Sequence, residues 1–199
     1  MRRYLSARLL SLSGLGVPEP DLVALALWRA NPVSLNANAT ISRWTIMQKD
    51  KAQIEERLME LLASQKLAVL ATQDQAQPYA SLIAFAASED LRELYFVTPK
   101  ATRKFAYLQA NPKVALLMDS RSNQDSDIHQ AIAATAVGAA AEVPPGERSR
   151  VLSYYLAKHP HLEEFASSPS CALVRVSVAT YYVVSRFQEV MELQFASPR

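Results

Sequence analysis

The feature that most constrains this chain is a succession of short apolar runs, each closed off by polar turn residues. Residues 66–72 (KLAVLAT), 78–86 (PYASLIAFA), 93–98 (ELYFVT) and 113–119 (KVALLMD) are too short for buried helices and rich enough in β-branched and aromatic side chains to be strands. The polar stretch Gln73-Asp74-Gln75-Ala76-Gln77 joins the first two as a hairpin. Residues 131–143 carry enough alanine for a helix, yet Thr135, Val137 and Gly138 and the stop at Pro144-Pro145 favour a strand. Residues 171–178, 181–185 and 189–195 alternate as three more strands, and residues 120–129 read as a loop. Helices are expected at four places. A capping box of Asp50 and Gln53 opens a helix of about fourteen residues, with Ile54, Leu58, Leu61 and Leu62 on one face. Thr98-Pro99 opens another, carrying Phe105 and Leu108, which Asn111-Pro112 ends. Residues 147–158 and 162–166 form two more, broken at His159-Pro160. Strand-strand-strand-helix-strand order makes hairpins instead of repeated βαβ units. The expected fold is therefore mainly β with peripheral helices (α+β): an antiparallel sheet closed into a small barrel.

Composition narrows the chemistry. Half of the 199 residues are apolar, which suits one domain of ordinary size and excludes disorder throughout. With four glycines, no two at Walker or G-x-G-x-x-G spacing, a glycine loop cannot cradle a nucleotide. Cys171 alone makes neither a disulfide nor a CxxC pair, and a zinc site would rest on His129, His159 and His161 without thiolates, so no metal is expected. A reducing, cytoplasmic setting follows as the simplest reading. Residues 1–46 carry five Arg against Glu19 and Asp21, a net charge of +3, whereas residues 47–199 carry 16 positive and 17 negative residues, a net −1. The body thus lacks the cationic excess of a nucleic-acid surface. The composition shift places a poorly ordered extension at residues 1–46, with Met47 a second plausible start, and the folded domain at residues 47–199. Within the extension, Leu9-Leu10-Ser11-Leu12 is too short for a secretory signal, and Glu19 and Asp21 weaken an organellar presequence. No segment reaches membrane-spanning length.

The densest chemistry lies in Tyr95-Phe96-Val97-Thr98-Pro99-Lys100-Ala101-Thr102-Arg103-Lys104, where a strand runs straight into a helix start holding hydroxyls and three cations. Free N–H groups and the helix dipole favour an anion there, and Thr102, Arg103 and Lys104 add charge-assisted donors. The alternative is a solvated helix face, in which the cations oppose the dipole.

Together, PYASLIAFA and YFVTPKATRKFAYLQANPKVALLMD resemble the FMN-binding split barrel of the pyridoxamine 5′-phosphate oxidase family, over residues 48 to 195. The resemblance implies a homodimer holding two FMN molecules in clefts between subunits. It implies that Thr102, Arg103 and Lys104 grip the FMN phosphate, and that Val97 and Thr98 flank the ribityl chain. It also implies that the backbone of Ser81, Leu82, Ile83 and Ala84 edges the isoalloxazine ring. Where that oxidase has an Arg and a Lys flanking its ring-binding strand, this chain has Ser81 and Ala86, which removes two cations. Arg121 is a candidate replacement at the phosphate with Asn123 as its neighbour; the rival reading pairs Arg121 with Asp119 or Asp125. The C-terminal Arg- and Trp-rich segment that closes the oxidase's substrate pocket is missing here, which argues against pyridoxamine-phosphate oxidation itself. Phe187 and Gln188 are candidates to lie near a partner's flavin, against the plainer reading of a barrel strand with one core aromatic. The implied activity is a flavin-dependent oxidoreductase of unknown substrate. The alternatives are a non-catalytic FMN-binding redox carrier or sensor, and a haem-handling barrel. His159-Pro160-His161 reads as a helix end with solvated rings, Tyr154 and Tyr155 as half-buried packing, and Cys171 as a small apolar strand residue.

Overall fold

The computed structural model describes residues 37–185 and 189–195, with side chains from Lys51 onward except that of Glu189. The chain divides into two units, Met1–Ile46 and Met47–Arg199, and the second is the subject below. Most of the extension expected at residues 1–46 lies outside the described residues.

Helix α1 runs from Ala37 to Ser64. It begins well before the capping box at Asp50, which therefore lies in its interior; no Pro or Gly interrupts residues 37–64, so nothing stops the helix from extending upstream. Its buried Ile54, Leu58, Leu61 and Leu62 join the main core. Strands β1 (Leu67–Asp74), β2 (Gln77–Ala87) and β3 (Glu93–Pro99) follow, then helix α2 (Arg103–Ala110) and strand β4 (Lys113–Asp119). A short helix α3 (Asp127–Gln130) lies in the segment expected as loop. Strand β5 (Ala133–Glu142) confirms the strand reading of the alanine-rich segment. Helices α4 (Pro145–Lys158) and α5 (Glu163–Ser167), joined by a 3-10 turn at Pro160–Leu162, precede β6 (Cys171–Ser185) and β7 (Glu189–Gln194).

All the strand pairings are antiparallel, in the order β3-β2-β1-β4-β5-β6, and a β3–β6 pairing closes the circle; β7 adds to β6 outside it. The fold is thus a closed six-stranded antiparallel barrel with an extra strand and peripheral helices. Register sorts the side chains into two faces, because residues directly opposite one another share a face. Ser81, Leu70, Leu116, Ala136 and Tyr181 form one row lining the interior. One residue along, Leu82, Val69, Leu117, Thr135 and Tyr182 form a row on the outside. Phe85, Phe96, Leu70 and Leu116 are fully buried within the barrel; truncating any of them to Ala costs roughly 2–5 kcal/mol.

Strand β6 serves both halves of the barrel by bending. Its pairing with β5 shifts register between Val137 and Gly138, so that Ala179 is the extra residue of a bulge. Gly138 makes the bend sterically feasible: a Cβ there would sit 2.2 Å from the Ser177 carbonyl oxygen. Outside the barrel, α4 and α5 cover Tyr95, Val97, Cys171 and Leu173 in a second small core with Val151 and Tyr155. Arg175 of β6 ties that layer down by pairing with Glu93 of β3 at 3.4 Å and hydrogen bonding to Glu147 of α4. No helix among the described residues is long and apolar enough to cross a membrane.

Candidate functional site

The barrel is split on one side. Strand β2 pairs with β3 only at Phe85–Phe96, Ala86–Tyr95 and Ala87–Leu94, while Val97, Thr98 and Pro99 pair with β6 alone. Residues 77–84 of β2 therefore keep one edge free of any strand among the described residues. Alternation decides which backbone groups face that edge. The Phe85 N–H points toward β1, donating to the Lys66 carbonyl at 3.3 Å. By alternation Leu82 and Ala84 present their N–H and C=O groups to the opening, whereas Ser81 and Ile83 bond toward β1. Of the four residues expected at a ring-binding edge, two face it. Ile83 is buried in the core, and Ser81 lies on the interior row with its hydroxyl buried and unpartnered. Leu82 is 60% exposed.

Helix α2 starts across the same opening. Thr102 is its N-cap and accepts from the Phe105 N–H at 3.4 Å, while its own hydroxyl donates to the Pro99 carbonyl at 2.8 Å. Buried Thr98 lies 3.1 Å from that hydroxyl, which fastens the end of β3 to the helix start. The N–H groups of Arg103 and Lys104 have no partner among the described residues, as expected of a first helical turn. Lys104 reaches back to the open edge, where its ammonium donates to the Leu82 carbonyl at 3.5 Å. Burial lowers its pKa from the ordinary lysine value.

The other cations of this segment are engaged elsewhere. Lys100 pairs with Glu142 at 2.9 Å, and the Arg103 guanidinium lies 5.4 Å from the centroid of Tyr79, whose ring meets Tyr107 edge-on. Arg121, exposed in the loop after β4, pairs with Asp119 at 2.9 Å. No hydrogen bond or ion pair among the described residues joins Arg121 or its neighbour Asn123 to Thr98, Thr102 or Lys104. Asn123 has φ 61°, a left-handed turn conformation that asparagine tolerates better than most residues. Val97 contributes backbone only, its side chain being buried under α4 in the second core. Ala86 is also buried there, so the position matching a ring-facing lysine of the oxidase is covered by a helix. Gln188 and Phe187 lie outside the described residues.

One histidine departs from its sequence reading. His159 is buried instead of solvated, with Nε2 2.8 Å from the Phe85 carbonyl oxygen, where β1 has ended and supplies no strand partner. Burial lowers its pKa. Tyr155 packs tilted against it, fully buried, its phenol pushed up to about 12 by desolvation, while Tyr154 is exposed. Cys171 is a buried strand residue.

A free strand edge thus faces a capped helix start, with one lysine spanning the two. The family model for pyridoxamine 5′-phosphate oxidase matches residues 54–185, and the chain belongs to that family. Among solved structures the barrel is similar to a NimC/NimA family protein from Clostridium acetobutylicum (19% identity, 73% of this chain and 94% of that one, TM-score 0.55). It is similar to an FAD-binding protein from Mesorhizobium loti (17% identity, 63% and 89%, TM-score 0.52). It also matches a haem-binding protein from Mycobacterium smegmatis, of which it spans 55% while 67% of this chain is covered (13% identity, TM-score 0.61). At these identities the structural likeness establishes the fold. No curated protein matches the chain.

Proposed function

We propose that this protein binds FMN without a covalent link and acts as a flavin-dependent oxidoreductase. The observation that carries this reading is the Lys104–Leu82 contact, which brings a helix-start anion site and a free strand edge together. In it, the FMN phosphate accepts from the N–H groups of Arg103 and Lys104, from the Lys104 ammonium, and from the Thr102 hydroxyl once that hydroxyl turns from the Pro99 carbonyl to which it now donates. Val97 and Thr98 run beside the ribityl chain. The main-chain groups of Leu82 and Ala84 hydrogen bond to the pyrimidine end of the ring, for which a strand edge offers donors and acceptors in alternation. Bound flavin would supply hydride or electron transfer; the chain supplies grip and orientation. Arg121 and Asn123 are given no part in this grip; Arg121 makes an exposed pair with Asp119 that a phosphate could displace.

The reading includes a homodimer. Leu82, Leu117, Val137, Tyr182, Val184 and Val190 are all exposed and put apolar side chains on the outer face of β2, β4, β5, β6 and β7, with Thr135 and Glu192 among them. A second copy on that face would bury it and wall in the flavin edge, since Leu82 belongs to both. The single buried Cys171 suits a reducing cytoplasm.

Haem binding is the second reading, supported by the M. smegmatis neighbour. The described histidines speak against it: Nε2 of His159 is bonded to Phe85, and His129 and His161 are exposed on short helical turns. The visible spectrum of the purified protein tests both. Flavin bands support the proposal, a Soret band supports haem, and a colourless dimer indifferent to added FMN contradicts it. Oxidation of NADH or NADPH by the loaded protein, with oxygen or a quinone as acceptor, separates an enzyme from a redox carrier or sensor.

A further inference from the structure

An open cavity of about 520 Å³ lies at the other end of β2, and of the positions matched above to the oxidase's flavin site only Ala86 lines it. Its walls are Met59 and Leu62 of α1, Ala87 and Leu91 around the β2–β3 turn, and Ala157 and Lys158 of α4. The volume falls within the roughly 300–1,000 Å³ of small-molecule sites, and the lining is largely apolar. Its one cation is Lys158. That side chain is half-buried and held in place: the ammonium donates to the Leu62 carbonyl at 2.6 Å, capping the last turn of α1, and lies 4.0 Å from the centroid of the Phe85 ring.

These two contacts leave the ammonium short of partners. An ammonium has three N–H donors, of which the carbonyl uses one. No carboxylate lies within 4 Å of it among the described residues, although Glu89 stands elsewhere on the cavity wall. A cation partly withdrawn from water without a counter-ion carries part of its desolvation cost, which an anionic ligand would relieve. Burial already draws the lysine pKa down to about 8, which agrees with the missing counter-charge. A single monovalent donor with no Arg in the lining, and an acidic residue nearby, suits a monoanion better than a phosphate dianion. The apolar walls call for an apolar body.

We propose that this cavity binds an aliphatic monocarboxylate of medium chain length, its carboxylate on Lys158 and its chain between Met59 and Leu62 on one side and Ala87 and Leu91 on the other. The proposal does not depend on the flavin reading.

Decanoate below its micellar concentration, titrated calorimetrically into the full-length protein, is the test. Saturable binding of one decanoate per chain is expected, at least tenfold tighter than decanol or decylamine. Lys158→Met should cut decanoate affinity at least tenfold and leave decanol binding within twofold. Ala157→Trp keeps the ammonium and fills the cavity, so it should abolish decanoate binding; it decides the matter alone should Lys158→Met fail to fold. No saturable binding, equal affinity for decanoate and decanol, or an Ala157→Trp protein that binds decanoate like the parent would each overturn the proposal.

Discussion

The ammonium of Lys104 donates to the main-chain carbonyl of Leu82 at 3.5 Å, joining the start of α2 to the open edge of β2. The bond is long and the amine partly desolvated, so a nearby phosphate would strengthen its position. A hydrogen bond to a charged group contributes about 1.5–3 kcal/mol. Lys104→Met is therefore expected to weaken FMN binding by roughly 10- to 150-fold, measured by quenching of flavin fluorescence, with little change in the urea midpoint. An unchanged affinity removes Lys104 from the phosphate grip.

Thr102 has two jobs, capping α2 and linking it to Thr98. Thr102→Ala should cost about 1 kcal/mol of stability, the ordinary cost of losing a cap, and Thr102→Ser should restore most of it. Urea denaturation decides; an alanine variant as stable as the parent contradicts the capping geometry.

Gly138 sits where β5 meets the bend of β6. A methyl group there collides with the Ser177 backbone, which cannot rotate away as a side chain would. Gly138→Ala should destabilise by about 1–3 kcal/mol or more, whereas Gly146→Ala, in open space at the start of α4, should be neutral or better. Thermal denaturation of the pair is the check. Equal melting points would refute the close approach.

Lys158 predicts a pH dependence. Its folded pKa of about 8 is below the ordinary 10.5, so between these values the unfolded chain binds more protons than the folded one. Stability from this group therefore rises with pH across that window. After allowance for the exposed half of the side chain, the rise is on the order of 1–2 kcal/mol. The difference in unfolding free energy between the parent and Lys158→Met, measured from pH 7 to 10.5, isolates it from the tyrosines. A flat difference would mean an ordinary, solvated lysine.

The strands were legible because their apolar runs are short and bounded, and the helix start at Thr102 because its cap and cations are contiguous. What escaped reading depends on residues that meet only in the folded chain. Residues 171–185 look like two strands because the bulge at Ala179 breaks the alternation of Val178 and Tyr181, both of which face inward; the structure makes them one bent strand. Ser81 stands in the predicted ring-binding strand, but register turns its hydroxyl into the barrel. His159 looked solvated next to a proline, and only the end of β1 explains why its ring is buried on the Phe85 carbonyl. Lys158 caps a helix 96 residues earlier, a pairing with no local signal. A distant cysteine pair or metal motif would have announced itself by residue type; a lysine on a carbonyl does not.

Titration of the purified protein with FMN and with riboflavin asks whether the start of α2 holds a phosphate while the edge of β2 reads a flavin ring. The two ligands share the ring and differ in the phosphate. Saturable quenching by both is expected, one ligand per chain, with FMN at least tenfold tighter. Equal affinities, or no binding of either, would contradict it.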